Sequence, residues 1–255
     1  VVDVGLGGVP VTPEVERSVN EAADALIADL GLVRVERTIT LPNLAAQWAM
    51  GNLATLLADL GGRWPRCRRE LTEEIAVGLV LAESLYNLHT AAVAEEQRIQ
   101  ANEAMADAFD DVDFVIAATN PDPAFPAEAA MSSSASNFVD WAKSNEVAKL
   151  AFRGVMNLAR VGSGVVPKLP NAVLDFAAAR FPDLVNMGAL TIISNLCGNP
   201  AVSIPVAPAD GLPVGMQVLA RHHADALLFD VALAVERARP WPLVAPTAPA
   251  ATLAL

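Results

Sequence analysis

Two short runs of β-forming residues near the end of the chain, Ala201–Val206 and Val214–Ala220, restrict the fold more than any other feature. The segment between them, Pro208–Pro213, holds Asp210 and Gly211, a pair suited to turning a strand back on itself. The spacing predicts a β-hairpin. A further run, Asp113–Thr119 (DFVIAAT), is apolar from Phe114 to Ala118 and is followed by Pro121, Pro123 and Pro126, which cannot donate to a sheet ladder. An unbroken apolar run of this kind suits a strand covered on both faces, and Ala201–Val206 reads the same way. A buried sheet is therefore expected at the heart of the chain.

Around these strands the periodicity is helical. Thr12 stands as a cap, Pro13 suits the first helical position, and Val15, Val19, Ala22, Leu26 and Leu30 recur at three- and four-residue steps until Gly31 ends the pattern. Val33, Val35 and Ile39, with Arg34 and Glu36 between them, then predict a strand with one buried face. A second helix is expected over Asn43–Leu60, closed by Gly61 and Gly62 and followed by a basic turn with Arg63, Arg66, Arg68 and Arg69. From Thr72 to about Phe109 the pattern is helical throughout, as one long helix or as two with a break near Gly78. Residues 131–190 mix turns with helical stretches at Phe138–Val161 and Ala172–Arg180. Asp225 is expected to cap a last helix in which Leu228, Val231, Ala232 and Val235 share a face, and Pro240, Trp241 and Pro242 stop it. With neither an internal repeat nor a long linker, residues 1–255 read as a single domain.

Composition removes several classes of function. A hydrophobic fraction of 53% with only 18% charged residues excludes disorder, and 17 Lys and Arg against 29 Asp and Glu give a net charge of −12 that repels nucleic acid and anionic membrane surfaces. No nucleic-acid partner is expected. The most apolar segments are interrupted by Asp, Glu or Asn, so no membrane span is expected either. The two cysteines, Cys67 and Cys197, make no disulfide framework and no C-x-x-C pair, which favours a reducing, cytoplasmic setting. Nothing in the first residues, Val1 to Gly8, reads as an export signal.

The C-terminal third carries a more specific pattern. Gly198-Asn199-Pro200-Ala201, then Ser203 and Pro205, then Gly211-Leu212-Pro213, Gly215 and Gln217, then Asp225, Leu228, Ala232 and Glu236 form an ordered series. This series resembles the C-terminal landmarks of the amidase signature family of serine hydrolases. Gly8-Val9-Pro10-Val11 and Pro13-Glu14-Val15 through Leu30-Gly31, and the run Asp113–Thr119 with its prolines, look like further family elements. One departure is Ala207, where a glycine is common. The resemblance implies an α/β fold, part of an amidase-type α/β/α sandwich with a mixed β-sheet core flanked by many helices, and hydrolysis of carboxylic amides without a metal or cofactor. In the family a serine nucleophile is activated by a second serine in a cis peptide and by a lysine, while backbone N–H groups of a glycine-rich loop hold the oxyanion. Serine at its free pKa is a poor nucleophile, so such a base and prepared donors are required.

Neither that lysine nor the Gly-Gly-Ser-Ser-Gly-Gly type of segment is found ahead of the matched elements. The chain is therefore expected to be the C-terminal part of an amidase without its catalytic half, with no catalytic residue of its own. By resemblance, Cys197, Gly198, Asn199, Pro200 and Ser203 are expected to line the substrate side of the cleft. Other candidates read as structural. Ser132, Ser133 and Ser134 lack flanking glycines, with Lys143 the nearest lysine, and Gly162-Ser163-Gly164 is too short for a nucleophile elbow. Gly5, Gly7 and Gly8 do not fit a dinucleotide fingerprint. His222 and His223 have no companion ligands for a metal and suit the start of a helix, His89 falls within a helical pattern, and the arginines of residues 63–69 are balanced by Glu70, Glu73 and Glu74.

Three functional readings follow. The chain is an amidase fragment that needs an N-terminal half or self-association through its exposed sheet to handle a small amide substrate, or a non-catalytic amide-binding or scaffold module, or a hydrolase built on Ser132–Ser134.

Overall fold

The hairpin forms where the turn residues place it. The computed structural model describes residues 1–42, 44–124 and 188–241. Within them, β1 (Phe114–Ala118), β2 (Ala201–Ala209) and β3 (Leu212–Ala220) make a three-stranded antiparallel sheet in the order β1-β3-β2. Asp210 (φ 50°) and Gly211 (φ 77°) turn the hairpin in two residues, the left-handed pair that a twisted antiparallel ribbon requires. The register shifts between Val206 and Ala209, so Ala207 and Pro208 form a bulge.

Register assigns side chains to faces. Val202, Ile204 and Val206 of β2, Met216 and Val218 of β3 and Ile116 of β1 share one face. The helices α1 (Pro13–Leu30) and, at the end of the chain, Asp225–Ala238 pack there, burying Val15, Val19, Ala23 and Leu26 on the first and Leu228, Val231 and Val235 on the second. The opposite face carries Val115, Ala117, Gln217 and Leu219, all buried, and meets the helix Ala189–Cys197. Helices on both faces of one sheet give the α/β sandwich expected from the sequence.

Several local expectations are corrected. Thr12 does not cap α1 through its side chain; its N–H and Oγ1 both donate to Pro121 O (3.0 and 3.2 Å), tying the helix start to the loop after β1. Pro13 and the left-handed Gly31 do bound that helix. Val33–Ile39 forms no strand. The outer edge of β1 is already occupied by Val1–Val4, through Ile116 N–H to Val1 O (2.9 Å), Asp3 N–H to Ile116 O (2.9 Å) and Ala118 N–H to Val4 O (3.0 Å). Val33 is left 84% exposed, Ile39 alone of the three is buried, and Arg34 and Arg37 pair with Asp24 and Asp111.

The second helix, α2, runs over Ala45–Leu60, and two short 3₁₀ turns follow at Gly61–Arg63 and Arg66–Glu70. The long helical stretch divides into α3 (Glu73–Leu85) and α4 (Leu88–Asp110), and the break lies at Asn87, not Gly78. Asn87 caps α4 by accepting from His89 N–H and Thr90 N–H, while Thr90 Oγ1 accepts from Asn87 N–H. Gly78 stays inside α3, where a Cβ would come within 2.9 Å of Leu53; the glycine lets α2 and α3 approach. The helix Ala189–Cys197 is α5 and Asp225–Ala238 is α6; the cap position of α6 is Ala224, so Asp225 is its first residue and places a negative charge in the first turn. Ala201–Val206 is not covered on both faces, because Ala201, Ser203 and Pro205 are exposed. The serines Ser132–Ser134 and Ser163, Lys143, the expected helices Phe138–Val161 and Ala172–Arg180, and Pro126 and Pro242 lie outside the described residues.

Candidate functional site

The turn between α5 and β2 is built by its own backbone needs. α5 ends at Cys197, and Gly198 takes the left-handed conformation (φ 75°) that lets its N–H return to Ser194 O at 2.8 Å. Asn199 is buried and donates through Nδ2 to Ala220 O (3.1 Å), while Ala220 N–H donates to Pro200 O (3.0 Å). The turn is thereby fastened to the end of β3. His222, just beyond β3, brings Nε2 to 2.7 Å from Cys197 O, and His223 has φ 65° with its ring centroid 6.3 Å from that of His222. Asn199 Oδ1 is sealed from solvent and has no hydrogen-bond partner among the described residues. Burial raises the Cys197 thiol pKa, a rise that Arg98 opposes, so the thiol is no ready nucleophile.

Of the five expected cleft residues, Cys197, Gly198, Asn199 and Pro200 make this single turn. Ser203 stands apart from it, farther along β2. Its Oγ lies 2.7 Å from Thr119 Oγ1, a hydroxyl bridge that crosses β3 from β2 to the residue after β1. Gly215 makes the bridge possible, since a Cβ there would fall 2.7 Å from Thr119 Oγ1 and 2.8 Å from Ser203 Oγ. Gln217, next on the same face of β3 and opposite Ser203, is 2% exposed and donates Nε2 to Ala118 O (2.9 Å) and Leu190 O (2.8 Å). One carboxamide thus holds β1, β3 and α5 together.

Sequence reasoning misses Thr119, the bonds of Gln217 and the contact of His222, although Gly215 inside a strand is a sign of close approach at that position. Among the described residues there is no lysine; Lys143, Lys149 and Lys168 lie outside them. His222 is turned toward a carbonyl. Among the same residues no group of His, Cys, Asp and Glu is arranged to hold a metal, and no helix is long and apolar enough to cross a membrane. What the face offers is hydrogen bonding.

No protein-family model matches the chain. A 73-residue segment is 42% identical to a glutamyl-tRNA(Gln) amidotransferase component of Lactococcus lactis subsp. cremoris (strain SK11), covering 28% of this chain and 15% of that protein. Among solved structures, the fold is similar to a bacterial aryl acylamidase belonging to the amidase signature enzymes (TM-score 0.62, 16% identity), with 94% of this chain laid over 43% of that one. It is equally similar to 6-aminohexanoate cyclic dimer hydrolase (TM-score 0.62, 20% identity, 94% of this chain over 45% of that one). The chain thus spans less than half the length of these neighbours. The described fold is shared with these amidase signature structures, and the matched segment is similar in sequence to an amidotransferase component over 28% of this chain.

Proposed function

We propose that this chain is the C-terminal part of an amide-hydrolysing enzyme, one that converts a carboxylic amide to a carboxylate and ammonia or an amine, and that it is inactive alone. Its lysine and paired serines would come from a partner chain that extends the sheet. The two free, buried cysteines, Cys67 and Cys197, suit a cytoplasmic setting.

The outer edge of β2 carries this reading. Ala220 N–H binds Pro200 O, and counting along the register, Val202, Ile204 and Val206 point their backbone groups at β3 while Ala201, Ser203 and Pro205 point theirs outward. None of these outward groups has a hydrogen-bond partner among the described residues. Pro205 occupies a position where its missing N–H costs the β2–β3 ladder nothing. An edge of unpaired donors and acceptors beside an exposed strand face is a template for another strand.

The two sets of positions can be separated by proline. The purified chain is expected to self-associate or to bind an N-terminal amidase segment supplied in trans. Ala201→Pro, which removes an outward N–H, should abolish that association in sedimentation while leaving the circular dichroism spectrum intact; Val202→Pro, which removes a ladder N–H, should unfold the hairpin. A monodisperse, cooperatively melting monomer would overturn the reading. The hydrogen-bonding groups on the exposed face of β2 suit a second possibility, a module that binds amides without turnover, distinguished by a ligand-induced thermal shift when no partner is present.

A further inference from the structure

We infer that two copies of this chain join β2 edge to β2 edge, antiparallel about a two-fold axis at Ser203, so that their sheets run on as one. The inference rests on the amide-hydrolase reading, in which this edge awaits a partner strand, and says what occupies the edge when that partner is missing. Ala201, Ser203 and Pro205 are the residues of β2 whose backbone groups face away from β3. Pro205 has no N–H, so the donors of this edge ahead of the bulge at Ala207 and Pro208 are those of Ala201 and Ser203. That restriction selects the register.

With the axis at Ser203, Ser203 and Ser203 of the partner subunit exchange both of their backbone bonds, and Ala201 N–H donates to the carbonyl of the partner's Pro205. The missing donor then falls opposite Ala201, the first residue of β2, whose unused carbonyl lies at the exposed start of the strand. An axis at Pro205 would set two prolines against each other with no donor, and an axis at Val202 would set Ile204 and Pro205 against the turn at Asn199 and Pro200. Val202, half-buried in one copy, comes opposite the partner's Ile204 and gains cover. Charge favours the same contact. Copies of net charge −12 repel each other over most of their surfaces, yet Ala201–Ala209 carries no charged side chain. Of the devices that keep sheet edges apart, β2 has proline, which shortens the pairing segment, but no charge to close what is left.

Oxidation of cysteine variants of the full chain with diamide tests the register. Opposed residues hold their Cβ atoms about 4.5–5.5 Å apart, near disulfide reach, whereas Ala201 and its own counterpart stand more than about 13 Å apart. Ser203→Cys is expected to cross-link to itself, and Ala201→Cys with Pro205→Cys to cross-link when mixed, about fivefold more than either variant alone. The wild type, with Cys67 and Cys197 buried, sets the background. Pro205→Ala, which restores the missing donor in both copies, should tighten the dimer about tenfold in sedimentation, and added salt should tighten it by screening like charges. Ala201→Cys cross-linking to itself as readily as to Pro205→Cys, a dimer loosened by salt, or no cross-link in any pair would overturn the inference. If the expected pairs cross-link but no segment supplied in trans restores hydrolysis, the inference stands and the hydrolase reading fails. If such a segment restores hydrolysis while the chain alone associates with no cross-link in any pair, the reading stands and the inference fails.

Discussion

Gln217→Leu is expected to destabilise the chain by about 3 kcal/mol, among the largest effects of any single replacement in the sheet. The leucine matches the volume but not the two donated bonds. Ala118 O and Leu190 O would each lose a short bond from a side chain only 2% exposed. For a chain of 255 residues this corresponds to a fall of roughly 6–12 °C in melting temperature. Gln217→Glu should be worse, because it exchanges two donors for acceptors aimed at two carbonyls. A melting point within about 2 °C of the wild type for Gln217→Leu would contradict the role given to this carboxamide.

The second large effect is expected at Gly215. A methyl group there meets Thr119 Oγ1 at 2.7 Å and Ser203 Oγ at 2.8 Å, and neither oxygen can withdraw without breaking the bridge between β1 and β2. Gly215→Ala should cost about 2 kcal/mol and Gly215→Val more, as overpacking in a rigid sheet does. The cost should be non-additive. In a Thr119→Ala, Ser203→Ala background the space is cleared, so the same glycine replacement should cost well under half as much. Equal costs in the two backgrounds, measured by urea unfolding, would show that the hydroxyls are not what the glycine accommodates.

How much of the fold is legible in the sequence depends on how local each cause is. Pro13 and Gly31 bound α1, and Asp210-Gly211 turns the hairpin, because each acts through its own backbone dihedrals. Sequence and structure part where a distant segment decides the outcome. Val33, Val35 and Ile39 have a strand's spacing, but Val1–Val4 holds the edge they would need. Gly78 resembles a helix break, yet it is the contact with Leu53 that calls for a glycine, and the break falls at Asn87, whose capping chemistry is written in Asn87 and Thr90. Thr12 has a cap's identity but spends its hydroxyl on Pro121.

The site divides in the same way. Cys197, Gly198, Asn199 and Pro200 are neighbours in sequence and form one turn, so their association can be read directly. The bridge from Thr119 to Ser203 spans 84 residues and the bond from Gln217 to Ala118 spans 99, and only the pairing register brings them together. Ala201, Ser203 and Pro205 suit burial by their place in an apolar run; they are exposed because they face away from α1 and α6, which cover the other side of β2.

The most direct measurement is release of p-nitroaniline from p-nitroacetanilide by the purified chain, with and without a segment supplying a lysine and a glycine-flanked serine pair. We expect no turnover by the chain alone and turnover only with that segment present. Hydrolysis by the isolated chain, abolished by a serine-directed reagent, would mean that these 255 residues hold their own nucleophile and base.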